Sequence, residues 1–163
     1  LLDDTLPAPV GDARLKLAEP RPIYRARRGG RVETVLVPAR APDGYSGAID
    51  LVVGVDRDGT VAGVRVLEHR ETPGLGDKVD RRKSDWIDDF AGRSLDNPAP
   101  AQWKVRKDKG VFDQFTGATI TPRAVVAATR RTLEYVKANE ATLFAAGTPP
   151  AAAEPGPAVE SGP

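Results

Sequence analysis

Two pairs of short apolar runs in the first half of the chain predict two β-hairpins. The runs Ile23–Arg28 and Val32–Val37 flank a Gly-Gly pair, and the runs Ala48–Val55 and Thr60–Leu67 flank the sequence Asp-Arg-Asp-Gly. Gly-Gly and Asp-Gly pairs favour tight turns, and the second pair of runs is rich in the β-branched residues that strands prefer. The first half of the chain is therefore predicted to form antiparallel sheet.

Helical spacing of apolar residues appears in the second half. A helix is predicted at Pro122–Ala138, with Thr121 as its N-cap and the following proline at its first position. The side chains that recur there at helical spacing are Val125, Val126, Thr129, Leu133 and Val136. A shorter amphipathic helix is predicted at Val79–Phe90 and a short strand at Trp103–Arg106. The segment Glu68–Lys78 has too much glycine and proline for regular structure and predicts a loop.

These elements predict an α+β fold in which antiparallel β-hairpins pack against a C-terminal helix. Residues 1–20 mix charged and apolar residues without a period and predict a partly helical lead-in next to a membrane. Residues 21–146 predict the folded domain. Residues 147–163 are rich in proline, alanine and glycine, and predict a disordered tail because they lack the apolar surface to form a core.

Composition narrows the class of protein. The chain has 163 residues, of which 40% are hydrophobic and 29% charged, and its net charge is +1. These values fit one globular domain and give no reason to expect nucleic-acid binding. The absence of cysteine excludes disulfides and thiol chemistry. The absence of methionine leads us to expect a signal peptide or a transmembrane anchor upstream of Leu1.

Candidate chemistry concentrates in the residues before the long predicted helix, where Thr116, Gly117, Ala118 and Thr119 follow one another. A helix N-terminus has unpaired N–H groups and a partial positive charge that favour a phosphate. Small residues let another group approach the backbone, and a threonine hydroxyl can bond a phosphate or be esterified by one. The residues alone leave three alternatives open: a capping turn, a noncovalent phosphate site or a modified threonine.

A wider set of motifs resembles one protein family. The stretch "DQFTGAT", residues 113–119, resembles the flavinylation motif D-x-x-T/S-G-A-T. "DGYSGAI" (residues 43–49), "HRETPGLGDK" (residues 69–78) and "SDWIDDF" (residues 84–90) precede it in order. Together these stretches resemble the G subunit of the Rnf/Rsx electron transport complex, and its relative, the C subunit of the sodium-translocating NADH:quinone reductase.

The resemblance implies a cofactor and a role for each motif residue. Thr119 would carry FMN through a phosphoester that an ApbE-type flavin transferase attaches. Thr116 and the amide of Ala118 would hold the phosphate, beside Gly117, and Asp113 would be read by the transferase.

The resemblance also implies a flavin pocket. Thr72 and Leu75 would touch the isoalloxazine ring, and Tyr45 would form a nearby wall. Glu71 either tunes flavin protonation or is a solvated carboxylate. The single histidine, His69, is either structural or close to the flavin. Metal binding is not expected there, because the sequence has no second histidine and no cysteine to act as a further ligand.

The function implied is that of an electron-carrying subunit, with other Rnf/Rsx subunits as partners. An N-terminal helix would hold it on the periplasmic side of the bacterial inner membrane. The alternative from another class is a non-redox extracytoplasmic binding or scaffold module, in which the threonine turn only caps a helix.

Overall fold

A five-stranded antiparallel sheet forms the framework of the computed structural model, which describes residues 4–147. The strands lie in chain order and are β1 (Thr5–Ala8), β2 (Arg21–Arg28), β3 (Arg31–Ala41), β4 (Ile49–Asp56) and β5 (Val61–Glu68). Two helices follow, α1 (Ile120–Ala138) and α2 (Glu140–Leu143). Both predicted hairpins and the α+β class are confirmed.

The core lies between the sheet and α1. The alternating side chains of β3 and β4 that face it are fully buried and include Val35, Val37, Leu51, Val53 and Val55. The predicted apolar stripe of α1 is buried with them and packs against β3 and β4. The period of two in the strands and the helical spacing in α1 therefore bury complementary faces.

The N-terminal segment takes part in the sheet. Strand β1 pairs with β2 in antiparallel register, with Leu6 opposite Ile23. Leu15 and Leu17 are also buried in the core. Residues 5–17 thus belong to the fold, whereas the folded domain was predicted to begin at residue 21. The segment was missed because β1 has only four residues and contains a proline.

The prediction of one helix at Val79–Phe90 is wrong, because the segment forms separate 3₁₀ turns at Gly76–Val79 and Trp86–Phe90. Side chains between the turns bond to nearby backbone in place of helical hydrogen bonds. The Ser84 hydroxyl donates to the Lys78 carbonyl at 2.7 Å and accepts from the Trp86 N–H at 3.2 Å.

An aromatic cluster stands where the strand Trp103–Arg106 was predicted, and that prediction is also wrong, since only an isolated bridge from Val105 to Phe112 forms there. Phe90 stacks on Phe112 with a centroid distance of 4.7 Å and on Trp103 at 6.2 Å. The cluster also contains Trp86 and Phe115. It therefore fixes the segment that leads into the flavinylation-like motif.

The predicted tail at 147–163 lies outside the described residues, apart from Gly147. Within residues 4–147, no helix combines the length and apolar character that crossing a membrane requires.

Candidate functional site

Three segments remote in sequence meet at one end of the sheet. They are the connection from β3 to β4 (residues 42–48), the loop after β5 (residues 69–79) and the first turn of α1. Between them lies a cleft of about 300 Å³, at the lower end of the range for small-molecule sites. The lining residues are Tyr45, Thr72, Leu75, Gly76, Gly117, Ala118, Thr119, Ile120 and Thr121.

The structure brings most of the predicted site residues to this cleft. Those that line it are Tyr45, Thr72, Leu75, Gly117, Ala118 and Thr119. Asp113 and Thr116 lie outside its lining. Gly76 and Ile120 were not among the predicted site residues but line the cleft too, and so does Thr121, which was predicted as a helix N-cap.

The loop after β5 is shaped by its own hydrogen bonds. The Leu75 N–H donates to the Thr72 carbonyl at 3.0 Å, which closes a tight turn over the Pro-Gly pair. The buried Asp77 carboxylate accepts from the Gly74 N–H at 3.0 Å and braces that turn. The turn leaves Leu75 40% exposed, with its side chain on the cleft.

The flavinylation-like motif forms a second turn opposite this loop. The Ala118 N–H donates to the Phe115 carbonyl at 3.0 Å, and Gly117 has a φ of +77°. Glycine reaches this left-handed conformation without the steric cost that other residues incur, which explains its place in the motif. The Ala118 amide is engaged in the turn, so it differs from the free phosphate donor that the resemblance implied.

Thr119 stands at the N-cap position of α1, half-buried on the cleft, and its side chain makes no capping hydrogen bond. The first-turn amides of a helix have no partner within the helix and carry its partial positive charge. The Thr119 hydroxyl thus lies at a cleft wall where an attached phosphate would be stabilised.

The predicted N-cap role of Thr121 is wrong. The helix begins at Ile120, so Thr121 is its second residue and Pro122 its third rather than its first. The Thr121 hydroxyl is buried and donates to the carboxylate of Glu71.

Glu71 is buried beneath the cleft, being only 4% exposed, so its interpretation as a solvated carboxylate is wrong. One carboxylate oxygen accepts from the Tyr45 N–H and the other from the Ser46 N–H, each at 2.9 Å. Its own N–H donates to Nδ1 of His69 at 3.0 Å. Hence His69 supports the base of the loop and does not line the cleft.

Asp113 lies outside the cleft lining, on an exposed surface. Its carboxylate pairs with Nε of Arg106 at 2.6 Å, and its carbonyl accepts from Nε1 of Trp86 at 2.9 Å. The side chain is 70% exposed, so it is accessible to another protein.

The rim of the cleft is unusually apolar for an exposed surface. Five large hydrophobic side chains among residues 4–147 are exposed, and three of them line this cleft: Tyr45 at 69%, Ile120 at 44% and Leu75 at 40%. Exposed apolar groups clustered at one concave site indicate a ligand with an apolar surface.

Asp80 anchors the far end of the loop after β5. Its carboxylate accepts from the backbone N–H of Arg82 at 2.9 Å and from the Arg82 guanidinium at 2.7 Å. Nε2 of His69 lies 3.6 Å away. The hydrogen bonds from Arg82 hold the pKa of Asp80 well below its ordinary value, against the opposing effect of burial.

We expect Asp80→Ala to lower the free energy of unfolding by about 1–2 kcal/mol at pH 7. Because the pKa of Asp80 is lower in the folded chain than in the unfolded one, this stabilisation is present above about pH 4 and is lost as the pH falls further. Urea unfolding at several pH values measures the difference. Asp85→Ala, at an exposed carboxylate nearby, is the control. A difference that stays constant down to low pH would contradict the assignment.

The fold and the cleft define an α+β domain with a site for a partly apolar small molecule. Residues 44–134 match the FMN-binding domain family, and the chain belongs to that family.

Within this class, the chain is similar to the G subunit of the ion-translocating oxidoreductase complex of Pseudomonas aeruginosa, with 55% identity over 131 residues, which are 80% of this chain and 61% of the relative. The corresponding G subunit of Vibrio vulnificus is 53% identical over 135 residues, 83% of this chain and 64% of its own. These relatives confirm the resemblance to the G subunit. The chain spans less than two thirds of the length of either relative.

The fold is also similar to the crystal structure of Shewanella oneidensis NqrC, with a TM-score of 0.58 and 26% identity over 82% of this chain and 70% of that one.

Proposed function

We propose that this domain is an electron-carrying subunit of a membrane-bound, ion-translocating oxidoreductase complex, with FMN attached to Thr119 through a phosphoester. The observation that supports this proposal most directly is the position of the Thr119 hydroxyl. It makes no capping bond at the N-terminus of a 19-residue helix and lines a cleft with an apolar rim. FMN is the proposed ligand because the chain belongs to the FMN-binding domain family.

The cleft fits the two parts of an FMN molecule. The helix N-terminus suits the phosphate, through the first-turn amides and the helix dipole. The exposed side chains of Leu75, Ile120 and Tyr45 suit the apolar faces of the flat isoalloxazine ring, because a ring lying on them removes their surface from water. The flavin supplies the redox chemistry, while these residues hold it and shield one of its faces.

Attachment would require a second protein. In the proposed step, Oγ1 of Thr119 forms a bond to the flavin-side phosphorus of a flavin dinucleotide donor and gives its proton to a base of the transferase. The bond from that phosphorus to the bridging pyrophosphate oxygen breaks, and the nucleoside monophosphate half of the donor leaves with that oxygen. The exposed Asp113 carboxylate is the proposed recognition point for the flavin transferase, and Arg106 holds it in place in the free domain.

We propose a location on the outer face of the bacterial inner membrane. The curated relatives, which are named as subunits of an ion-translocating complex, support the membrane association, and the outer face is part of the proposal. A covalent bond also has a physical reason there, because a flavin released outside the cytoplasm would be lost. Electrons would pass between the flavin and other subunits of the complex.

The test is the intact mass of the denatured chain after expression with and without a flavin transferase. We expect a gain of one FMN less one water, present only with the transferase. A bound flavin that denaturation releases would indicate noncovalent binding instead. No flavin under any condition would favour the alternative of a non-redox binding or scaffold module.

A further inference from the structure

We infer that Glu71 is a positioning residue whose buried carboxylate sets the spacing between the three walls of the cleft, acting through the Thr121 hydroxyl and the amides of Tyr45 and Ser46. These four residues are called the Glu71 clamp below. The relevance of the clamp to FMN rests on the proposed function, whereas the clamp itself rests on contacts within this chain.

The donors come from different walls. Tyr45 and Ser46 belong to the connection between β3 and β4, Thr121 belongs to α1, and Glu71 lies in the loop after β5, next to Thr72. Tyr45 and Thr121 themselves line the cleft. One carboxylate therefore binds each wall at a residue that forms or adjoins the cleft surface.

Because the Glu71 carboxylate is buried, it depends on the hydrogen bonds from both other walls. Glu71 is 4% exposed, and no ion pair joins it to a Lys, Arg or His side chain among residues 4–147. A buried carboxylate is costly unless hydrogen bonds satisfy it. Since its partners are neutral donors from two other segments, opening either wall would leave the carboxylate short of donors.

Gly76 packs against the clamp, next to Thr121 and Glu71. A Cβ at this position would lie 2.5 Å from Oγ1 of Thr121 and 3.1 Å from Cβ of Glu71. The loop backbone at Gly76 therefore lies too close to Thr121 and Glu71 to leave room for a side chain. This contact gives a steric reason for glycine here, separate from the turn that precedes it.

Such a clamp would fix the position of Thr119 relative to that of Leu75. Thr119, the N-cap of α1, is two residues before Thr121, and Leu75 is on the same loop as Glu71. The bond between Thr121 and Glu71 fixes these two elements against each other. A flavin attached at Thr119 would then meet Leu75 at a defined distance, with little freedom to swing.

The first experiment uses the flavin-free chain, so it does not depend on attachment. Amide hydrogen exchange is measured at Tyr45 and Ser46. In Glu71→Gln, we expect the amide that faces the new carboxamide nitrogen to exchange about tenfold faster, or more, because it loses its acceptor oxygen. The other amide should also exchange faster, to a smaller degree, because a neutral amide oxygen is a weaker acceptor than a carboxylate. Thr121→Val should accelerate exchange at both amides by about threefold, since the carboxylate is then freer to move.

The matched control is Thr129→Val. Thr129 is also a buried threonine of α1, but its hydroxyl donates to the Val125 carbonyl of the same helix at 2.9 Å. This variant should leave exchange at Tyr45 and Ser46 within about twofold of the parent. Thr121→Ser, which keeps the hydroxyl, should restore the parent rate.

Unchanged exchange in both Glu71→Gln and Thr121→Val would overturn the clamp, and so would an equal effect of Thr121→Val and Thr129→Val.

The second experiment repeats the α1 series on flavinylated chain and measures the fluorescence anisotropy of the flavin. We expect lower anisotropy in Thr121→Val and recovery in Thr121→Ser. Equal anisotropy across the series would show that the clamp does not position the flavin. If the parent chain did not become flavinylated, that result would count against the proposed function. The hydrogen-exchange result on the flavin-free chain would still test the clamp.

Discussion

Replacing Thr119 with alanine is expected to abolish covalent flavin attachment, with no residual gain in intact mass after coexpression with the transferase. Alanine removes the only atom that would become the ester oxygen, so the expected effect is complete. The fold should persist, because the Thr119 side chain makes no capping bond that alanine would break. Circular dichroism and urea unfolding check this point.

Three further variants separate attachment from other roles of the threonines. Thr119→Ser keeps a hydroxyl at the site and should retain attachment. Thr116→Ala should retain it as well, because Thr116 is exposed and lies outside the cleft lining. Thr121→Val should retain it because the Thr121 hydroxyl is buried against Glu71. A mass gain that survives in Thr119→Ala but disappears in Thr116→Ala would move the attachment site to Thr116.

The largest expected effect on stability comes from Phe90→Ala, at about 3–5 kcal/mol of the free energy of unfolding. Phe90 is fully buried at the centre of the aromatic cluster, where it contacts Trp86, Trp103 and Phe112. Alanine would leave a cavity that these rings fill only in part, and it would remove the stacking contacts. The midpoint and slope of urea unfolding measure the loss.

The matched control is Leu67→Ala on β5, where the side chain is 54% exposed. We expect a change within about 0.5 kcal/mol there. Phe90→Ala also tests the link between the cluster and the site, since Phe112 directly precedes the motif and Phe115 lies within it. Slower flavinylation in Phe90→Ala under conditions where it remains folded would support that link. An unfolding free energy unchanged by Phe90→Ala would contradict the packing described.

Local patterns predicted the elements on which the site is built. Both hairpins and α1 follow from alternation, turn residues and helical spacing, which act over a few neighbouring residues. The resemblance carried by the four motifs directed attention to Tyr45, Leu75 and Thr119, and the structure brings these to one cleft. Predictions failed where short-range side-chain bonds replaced a helix, as at Ser84.

The sequence by itself determined the hairpins and the long helix, because each depends on conformational preferences of adjacent residues. Only the tertiary structure decided what Thr121 and Glu71 do. Each residue alone suggests a surface role, one as a cap and the other as a solvated charge. The carboxylate is buried because donors 25, 26 and 50 residues away in the chain converge on it, and no local pattern records that convergence.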